Sequence, residues 1–332
     1  MSNFADEALP NRRISRRLLL TAALSVPFVS HAQAYPYRPI RVIVPGAPGG
    51  AVDLAARAIS DGMQRELGQP WQVDPRPGAN GVIAAKAFLD APEDGHVLYL
   101  TVLSHVLLPF VTKVPFDVMA DFQPIAMIGS GTFLLCVPAS SPADTVAGFV
   151  AYAQANPGNL DYLNPGNATA PHLLPEMLKI RYGLDISSVY YKAVSAGIAD
   201  LVAGDLDLGL LTTGLALPYV QQRRLKAIAQ VSRRRLDVLA GVPTLAEQGL
   251  SELALDMFLP LYGRSSLPAE NVARINHAVG VVLAAPATRA RLATAHIEPL
   301  PLQPVEVGAL LKREHDRLGA MIRQLGITAD GS

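Results

Sequence analysis

Two short loops carry the residue types best suited to holding a small anion. The first is Gly46-Ala47-Pro48-Gly49-Gly50-Ala51-Val52 and the second is Asn164-Pro165-Gly166-Asn167-Ala168-Thr169-Ala170. Each follows a strand-like apolar stretch and precedes a helix. A helix start offers unpaired backbone N–H groups and roughly half a positive charge, so it accepts an anion without a cationic side chain. Neither loop contains Lys or Arg. The expected grip is therefore made by main-chain amides, with Gly49 and Gly50 allowing close approach to the backbone. Taken singly, either loop also reads as an ordinary strand-to-helix turn, glycine-rich for steric reasons alone. Asp53 suits the first turn of any helix, whatever the function.

Other reactive residue types point away from catalysis. Cys136 is the sole cysteine and sits in Phe133-Leu134-Leu135-Cys136-Val137, where it reads as a small buried hydrophobe. No disulfide can form within the chain. His105 and His172 each read either as a ligand hydrogen-bonder or as a turn cap. His96, His277, His296 and His315 show no HxH or HExxH spacing, so no metal site is expected. Gly46, Gly49 and Gly50 do not make GxGxxG, GxxxxGK[ST] does not occur, and no nucleotide cofactor is expected. GxSxG is absent too, and Asp205 with Asp207 reads as a turn rather than an acid–base pair. The chain is expected to bind rather than turn over its ligand. A periplasmic enzyme acting on a small carboxylate and a sensory input for a membrane kinase stay open as alternatives.

The N-terminus directs the chain out of the cytoplasm. Arg12, Arg13, Arg16 and Arg17 precede the mainly apolar run Leu18 to Val29, and Ala32-Gln33-Ala34 fits a cleavage site. The run is shorter than the ~20 residues that a membrane-spanning helix needs. Ser15-Arg16-Arg17-Leu18-Leu19 also resembles a twin-arginine signal, so two export routes stay open. Cleavage after Ala34 leaves 298 residues, with 24 basic against 26 acidic, a net charge of −2. That balance offers no pull toward nucleic acid or an anionic bilayer. With 6% aromatics there is also no platform for base stacking. A monomer of two domains suits the length.

The elements that must position the two loops alternate between strand and helix patterns, as in an α/β fold. Ile40 to Val44 reads as a buried strand. Apolar residues at Val52, Ala56, Ile59, Met63 and Leu67 mark one face of a helix closed by Gly68. Further strands are expected at Trp71–Val73, Val97–Val102, Leu206–Leu211, Leu225–Val231 and Leu253–Leu261. Helices are expected over Gly81–Leu89, Thr145–Ala155, Ala269–Ala284 and Val305–Leu325. Ile125 to Val137 has the length of one strand crossing between domains. Pro171 suits a first helical turn, whereas Pro175 would remove an internal hydrogen bond, so the helix between them either starts near Leu174 or bends.

Taken together, these residues resemble a family. Val44-Pro45, Gly49-Gly50, Asp53, Ala56-Arg57 and Arg76-Pro77-Gly78-Ala79-Asn80-Gly81 look like the opening of the Bug proteins, the receptors of tripartite tricarboxylate transporters (TctC-like). The resemblance continues through Pro92-Glu93-Asp94-Gly95, Pro115-Phe116-Asp117, Gly166-Asn167 with His172-Leu173, Tyr191-Lys192 and Gly204-Asp205-Leu206-Asp207. It ends with Val242-Pro243-Thr244-Leu245-Ala246-Glu247 and Leu267-Pro268. It implies a two-lobed, venus-flytrap periplasmic binding protein of type II, each lobe a mainly parallel sheet flanked by helices. One lobe would take residues 35–130 plus 258–332, and the other residues 131–257. A small carboxylate would lie in the interdomain cleft and pass to integral-membrane subunits of the transporter. The implied contacts are Gly46, Ala47, Pro48, Gly49, Gly50 and Val52, with Thr101, Ser104 and His105 from a strand end. Asn164, Gly166, Asn167, Ala168 and Thr169 face them, joined by Tyr191 and Thr212. Asp53, Arg57, Arg76 and His172 take supporting roles, and Lys192 is expected in a structural ion pair.

The pocket departs from that pattern. Gly46 stands where an aromatic is usual, Ala51-Val52 where Gly, Ser or Thr is usual, and Leu211-Thr212-Thr213 where Phe with Asp or Asn is common. An ammonium buried without a carboxylate partner costs several kcal/mol. With neutral Thr212 and Thr213 in place of an acid, the expected ligand is a carboxylate lacking an amino group. A bulky or aromatic monocarboxylate and a hydroxy- or dicarboxylate both fit that description.

Overall fold

A computed structural model describes residues 34–327 apart from 168, 233, 234 and 325. The expected signal peptide, Ala168, Arg233 and Arg234 lie outside the described residues. Among the described residues no helix is long and apolar enough to cross a membrane.

The first lobe is built on a six-stranded sheet ordered β11-β4-β10-β3-β1-β2. Its strands are β1 (Ile40–Val44), β2 (Trp71–Pro75), β3 (Val97–Leu100), β4 (Phe122–Gly131), β10 (Met257–Arg264) and β11 (Glu298–Pro299). β1 pairs in parallel with β2 and β3, while β10 runs antiparallel between β3 and β4. The second lobe carries β8 (Gly209–Thr212), β5 (Phe133–Pro138) and β9 (Leu225–Gln230) in the order β8-β5-β9. Its remaining strands, β6 (Leu160–Asn164) and β7 (Ile186–Tyr190), pair in parallel. A parallel bridge from Tyr162 to Leu208 connects β6 to the residues entering β8. The two lobes thus repeat one arrangement. β2-β1-β3-β10-β4 matches β7-β6-β8-β5-β9, each with a single reversed strand before the last. The shared strand direction is what a mainly parallel sheet needs, and the reversed strands are the two that enter from the opposite lobe.

Helices follow the co-directed strands, as the connection rules for parallel pairs require. α1 (Ala51–Leu67) follows β1 and α2 (Val82–Leu89) follows β2, whereas α3 (Val146–Ala155) follows the reversed strand β5. α4 (Ala170–Tyr182), α5 (Val194–Ala203) and α6 (Thr213–Gln221) follow β6, β7 and β8. α7 (Ala269–Ala284), α8 (Pro286–Thr294) and α9 (Pro304–Gln324) close the chain. One face of the first sheet is covered by α1 and α7, through Ile59, Met63, Ile275, Val279 and their neighbours. The other face joins Phe88, Tyr99 and Phe122 to α9 through Leu311 and Leu318, and this core continues into the second lobe along α3 and α4. α5 and α6 cover the remaining face around Leu134, Cys136 and Leu211.

One expectation is corrected, and one open alternative is decided. The stretch from Ile125 to Val137 is not one strand. It breaks at Thr132, with β4 in one sheet and β5 in the other. Thr132 is held by both neighbours: its carbonyl accepts from the Thr213 N–H (3.2 Å) and hydroxyl (3.0 Å), and its Oγ1 accepts from Ser232 N (3.0 Å). Strand periodicity could not reveal a break whose cause is hydrogen bonding to distant residues. The α4 helix starts at Ala170 rather than near Leu174, and it runs through Pro175. Pro171 sits in its first turn, so Pro175 sacrifices only the bond that Pro171's carbonyl would have accepted.

Asn276 on α7 shows how the last helices are tied to the sheet. It is buried, and its Nδ2 donates to Ile125 O (2.8 Å) and Leu302 O (2.9 Å). Asn276→Leu keeps the volume but leaves two buried carbonyls unpaired, at about 1–3 kcal/mol each. Differential scanning calorimetry should show a Tm lower by several degrees, with ligand affinity unchanged.

Candidate functional site

The strands directed alike in each lobe end at the cleft, and the helices that follow them start there. Gly49 allows the first of these turns, because its φ of +81° is a conformation that side chains rarely adopt. Its N–H donates to Asp53 Oδ2 (2.9 Å), and Arg57 Nε donates to both Asp53 oxygens (3.0 and 2.9 Å). Burial alone would raise the Asp53 carboxyl pKa. The Arg57 guanidinium and the Gly49 amide outweigh it and hold that pKa below the usual value. An ionised Asp53 therefore pins the loop to α1. The N–H groups of Ala51, Val52 and Asp53 fall in the first turn, where no intrahelical acceptor exists.

The second loop is built by its own polar side chains. Asn164 Oδ1 accepts from Gly166 N (2.8 Å), and its Nδ2 donates to Asn167 Oδ1 (3.1 Å) and Ser188 Oγ (2.9 Å). Thr169 Oγ1 donates to Gly166 O (2.6 Å) and is followed by the start of α4. Thr212 is the N-cap of α6 and makes no side-chain cap bond. Three helix starts of the second lobe, those of α4, α5 and α6, therefore supply Ala170, Val194 and Thr212 to a space that Ala51 of α1 enters from the first lobe.

The space has two parts. An outer vestibule of about 630 Å³ is lined by Gly46, Ala47, Val52 and Thr101 of the first lobe and by Gly166, Asn167 and Tyr190 of the second. Lys113 and Lys192 add two ammonium groups to its wall. Adjoining it is a smaller chamber of about 220 Å³ walled by Leu103, Leu107, Phe133, Leu173 and Met257, with Ser104, Thr169 and Thr212 contributing hydroxyls. Val102, Ser104, Pro165 and Thr169 line both parts.

Several residues expected to touch ligand lie elsewhere. His105 is buried in a cage of Tyr99, Phe116, Phe122 and Tyr262, and burial pushes its pKa down to about 3. It is a neutral core ring, whereas its neighbour Ser104 faces the chamber. Tyr191 is turned away, its hydroxyl donating to Asp200, while the alternate residues Tyr190 and Lys192 line the vestibule. Alternation along an extended chain explains the split at Tyr190–Lys192, whereas Ser104 and His105 sit on a 3-10 turn, Leu103–Phe110, whose successive residues point in different directions. Lys192 is thus a wall residue rather than a member of an expected ion pair. Asn164 organises its loop instead of lining the space. Pro48, Gly49 and Gly50 are exposed beside the cleft and line neither part, so Ala51 and Val52 bring α1 to it. Arg76 Nε donates to Asp74 (3.0 and 3.1 Å), and His172 is buried on α4. Burial pushes the Cys136 thiol pKa up, away from the reactive thiolate.

Asn80 bridges the lobes, and nothing in its own sequence neighbourhood signals this. Its Nδ2 donates to Asn167 O (2.6 Å) across the cleft. Gly166 lies so close that a Cβ there would sit 2.1 Å from Asn80 Oδ1. The loop reaches across by an unusual path, with Gly78, Ala79, Asn80 and Gly81 all at positive φ. Asn tolerates that conformation better than most residues. Asn80→Gly keeps the backbone path and deletes the bond. A net contribution of about 0.5–1.5 kcal/mol means that affinity should fall roughly two- to tenfold, with faster ligand release in stopped-flow dissociation and little change in Tm.

Comparisons with known proteins agree on this architecture. Residues 55–327 match the model of the tripartite tricarboxylate transporter family receptor. The UPF0065 protein in the gbd 5' region of Cupriavidus necator is 31% identical over 92% of this chain and 94% of its own length. A solved periplasmic transporter superposes with a TM-score of 0.82 at 31% identity, covering 89% of this chain and all of that one. MatC from Rhodopseudomonas palustris, solved with bound malate, gives 0.79 at 27% identity, over 87% of this chain and all of that one.

Proposed function

This chain belongs to the tripartite tricarboxylate transporter family of receptors, and from that premise we propose that it captures a small carboxylate in the periplasm and delivers it to a membrane transporter. The observation that carries the reading is the meeting of helix starts from opposite lobes, α1 and α4, at a space whose inner chamber has no Lys, Arg or His among its described lining residues. Backbone amides, helix dipoles and the hydroxyls of Ser104, Thr169 and Thr212 are then the groups left to hold an anion. The malate bound by MatC supports a carboxylate as that anion. Lys113 and Lys192 at the vestibule would draw it in, since a positive rim raises the local anion concentration and the rate of encounter.

The basic, apolar and small-residue pattern of residues 12–34 supports export, with cleavage after Ala34. The lobes would comprise residues 35–130 with 258–332, and residues 131–257, closing over ligand about the crossings at Thr132 and before β10. Integral-membrane subunits of a tripartite transporter would be the partners. Binding without turnover fits a chamber whose polar side chains include hydroxyls but no neighbouring imidazole to activate them.

Ala51→Asp tests the grip. An acid at this position suits a helix start and stabilises it by about 0.3–1 kcal/mol, so the fold should survive with Tm unchanged or raised. The same charge would occupy the anion's place. Native mass spectrometry should find a small carboxylic acid released from the purified wild-type protein. Calorimetry with that acid should show affinity at least tenfold weaker in the variant. Unaltered affinity would remove α1 from the site, and a co-purifying ligand without a carboxyl group would overturn the reading.

A further inference from the structure

Resting on the carboxylate-receptor reading, we propose that the ligand is a monocarboxylate with a compact apolar body and no amino group. The inner chamber carries this inference. Two of its hydroxyls, Thr169 and Thr212, are the N-cap residues of α4 and α6, and Ala51 and Ala170 stand at the starts of α1 and α4; Ser104 adds a third hydroxyl. Apart from Asp256, most of the remaining wall is apolar, with Leu103, Leu107, Phe133, Leu173 and Met257. A carboxylate at the helix starts therefore directs the remainder of its molecule against hydrocarbon. At about 30 Å³ per water-sized group, 220 Å³ admits on the order of seven such groups. That is room for a short alkyl chain or a single ring.

Charge excludes the neighbouring chemical classes. A second carboxylate inside the chamber would meet no basic side chain among the described lining residues, and an ionised group buried unpaired is strongly disfavoured. The one charged residue in the wall, Asp256, is an acid and would repel it. A dicarboxylate would have to leave its second charge in the vestibule, near Lys113 and Lys192, and leave the chamber unfilled. An α-ammonium would need a carboxylate at the helix starts. Thr212 and Thr213 are neutral there, and Asp256 already has a partner of its own. Helix starts repel cations as they attract anions.

Four ligands with the same six-carbon chain separate the possibilities: hexanoate, adipate, 2-aminohexanoate and hexanamide. Each is titrated by calorimetry into the wild-type protein after removal of co-purified ligand. Hexanoate should bind at least tenfold more tightly than any of the other three. Equal or tighter binding of adipate or 2-aminohexanoate would overturn the inference and leave the carboxylate receptor standing. Hexanamide binding as tightly as hexanoate would overturn the receptor reading itself. Absence of binding by all four would also overturn the inference.

Discussion

Strand direction is the constraint on which the rest of this molecule depends. A strand joined to a parallel neighbour needs a crossover, and here that crossover starts with a helix at the strand's C-terminal end. β1, β6, β7 and β8 all end at the cleft, so the first turns of α1, α4, α5 and α6 assemble there without any one of them being specialised. Their partial positive charges face one small space, and the first-turn amides of α1 add unpaired donors beside it. A cation would be repelled from it, and an anion needs no arginine to stay.

The reversed strands, β5 and β10, turn this geometry into a two-lobed device. Each is the strand by which the chain changes sheet, and each lies inside its new sheet rather than at the edge. An interior position supplies hydrogen-bond partners on both sides, so the crossings are anchored where they enter. Thr132 marks the narrow point of the first crossing. α9 supports the second, with Arg317 donating to Glu252 O (3.2 Å) and Ala254 O (3.1 Å) just before β10. The connection between the lobes is thereby confined to a few residues, and the loops at the cleft have strands behind them. Asn80 adds a weak contact at the opposite lip, strong enough to favour closure and exposed enough to be broken.

Vestibule and chamber divide recognition between them. The vestibule is the more polar of the two and has Lys113 and Lys192 in its wall, whose charges act at a distance and discriminate poorly. The chamber is mostly apolar and small, and it discriminates by shape and by the cost of stranding a charge. Gly46 and Val52, where relatives of this type carry an aromatic and a hydroxyl residue, belong to the vestibule wall.

The order of elements was legible in the chain because it rests on local patterns. The apolar spacing from Val52 to Leu67 predicts α1 within a residue of its observed bounds, and Ala269–Ala284 coincides with α7. Thr145 stands at a helix start, and there its hydroxyl accepts from Gly148 N at 3.0 Å. Gly49-Gly50-Ala51 and Asn167-Ala168-Thr169 likewise announce turns into helices, and the order of motifs along the chain identifies the family. What faces what was not legible. Ser104 and His105 are adjacent on a 3-10 turn, yet one lines the chamber and the other fills an aromatic core completed by Phe122 and by Tyr262 far away in sequence. Tyr190 and Tyr191 divide in the same way. The break at Thr132 and the reach of Asn80 to Asn167 come from hydrogen bonds spanning 81 and 87 positions. Leu103, Phe133, Leu173 and Met257 look like ordinary core residues in the sequence, and only the packing of four distant segments leaves a chamber between them. Local periodicity is set by the backbone, whereas a cavity is set by what its walls fail to fill.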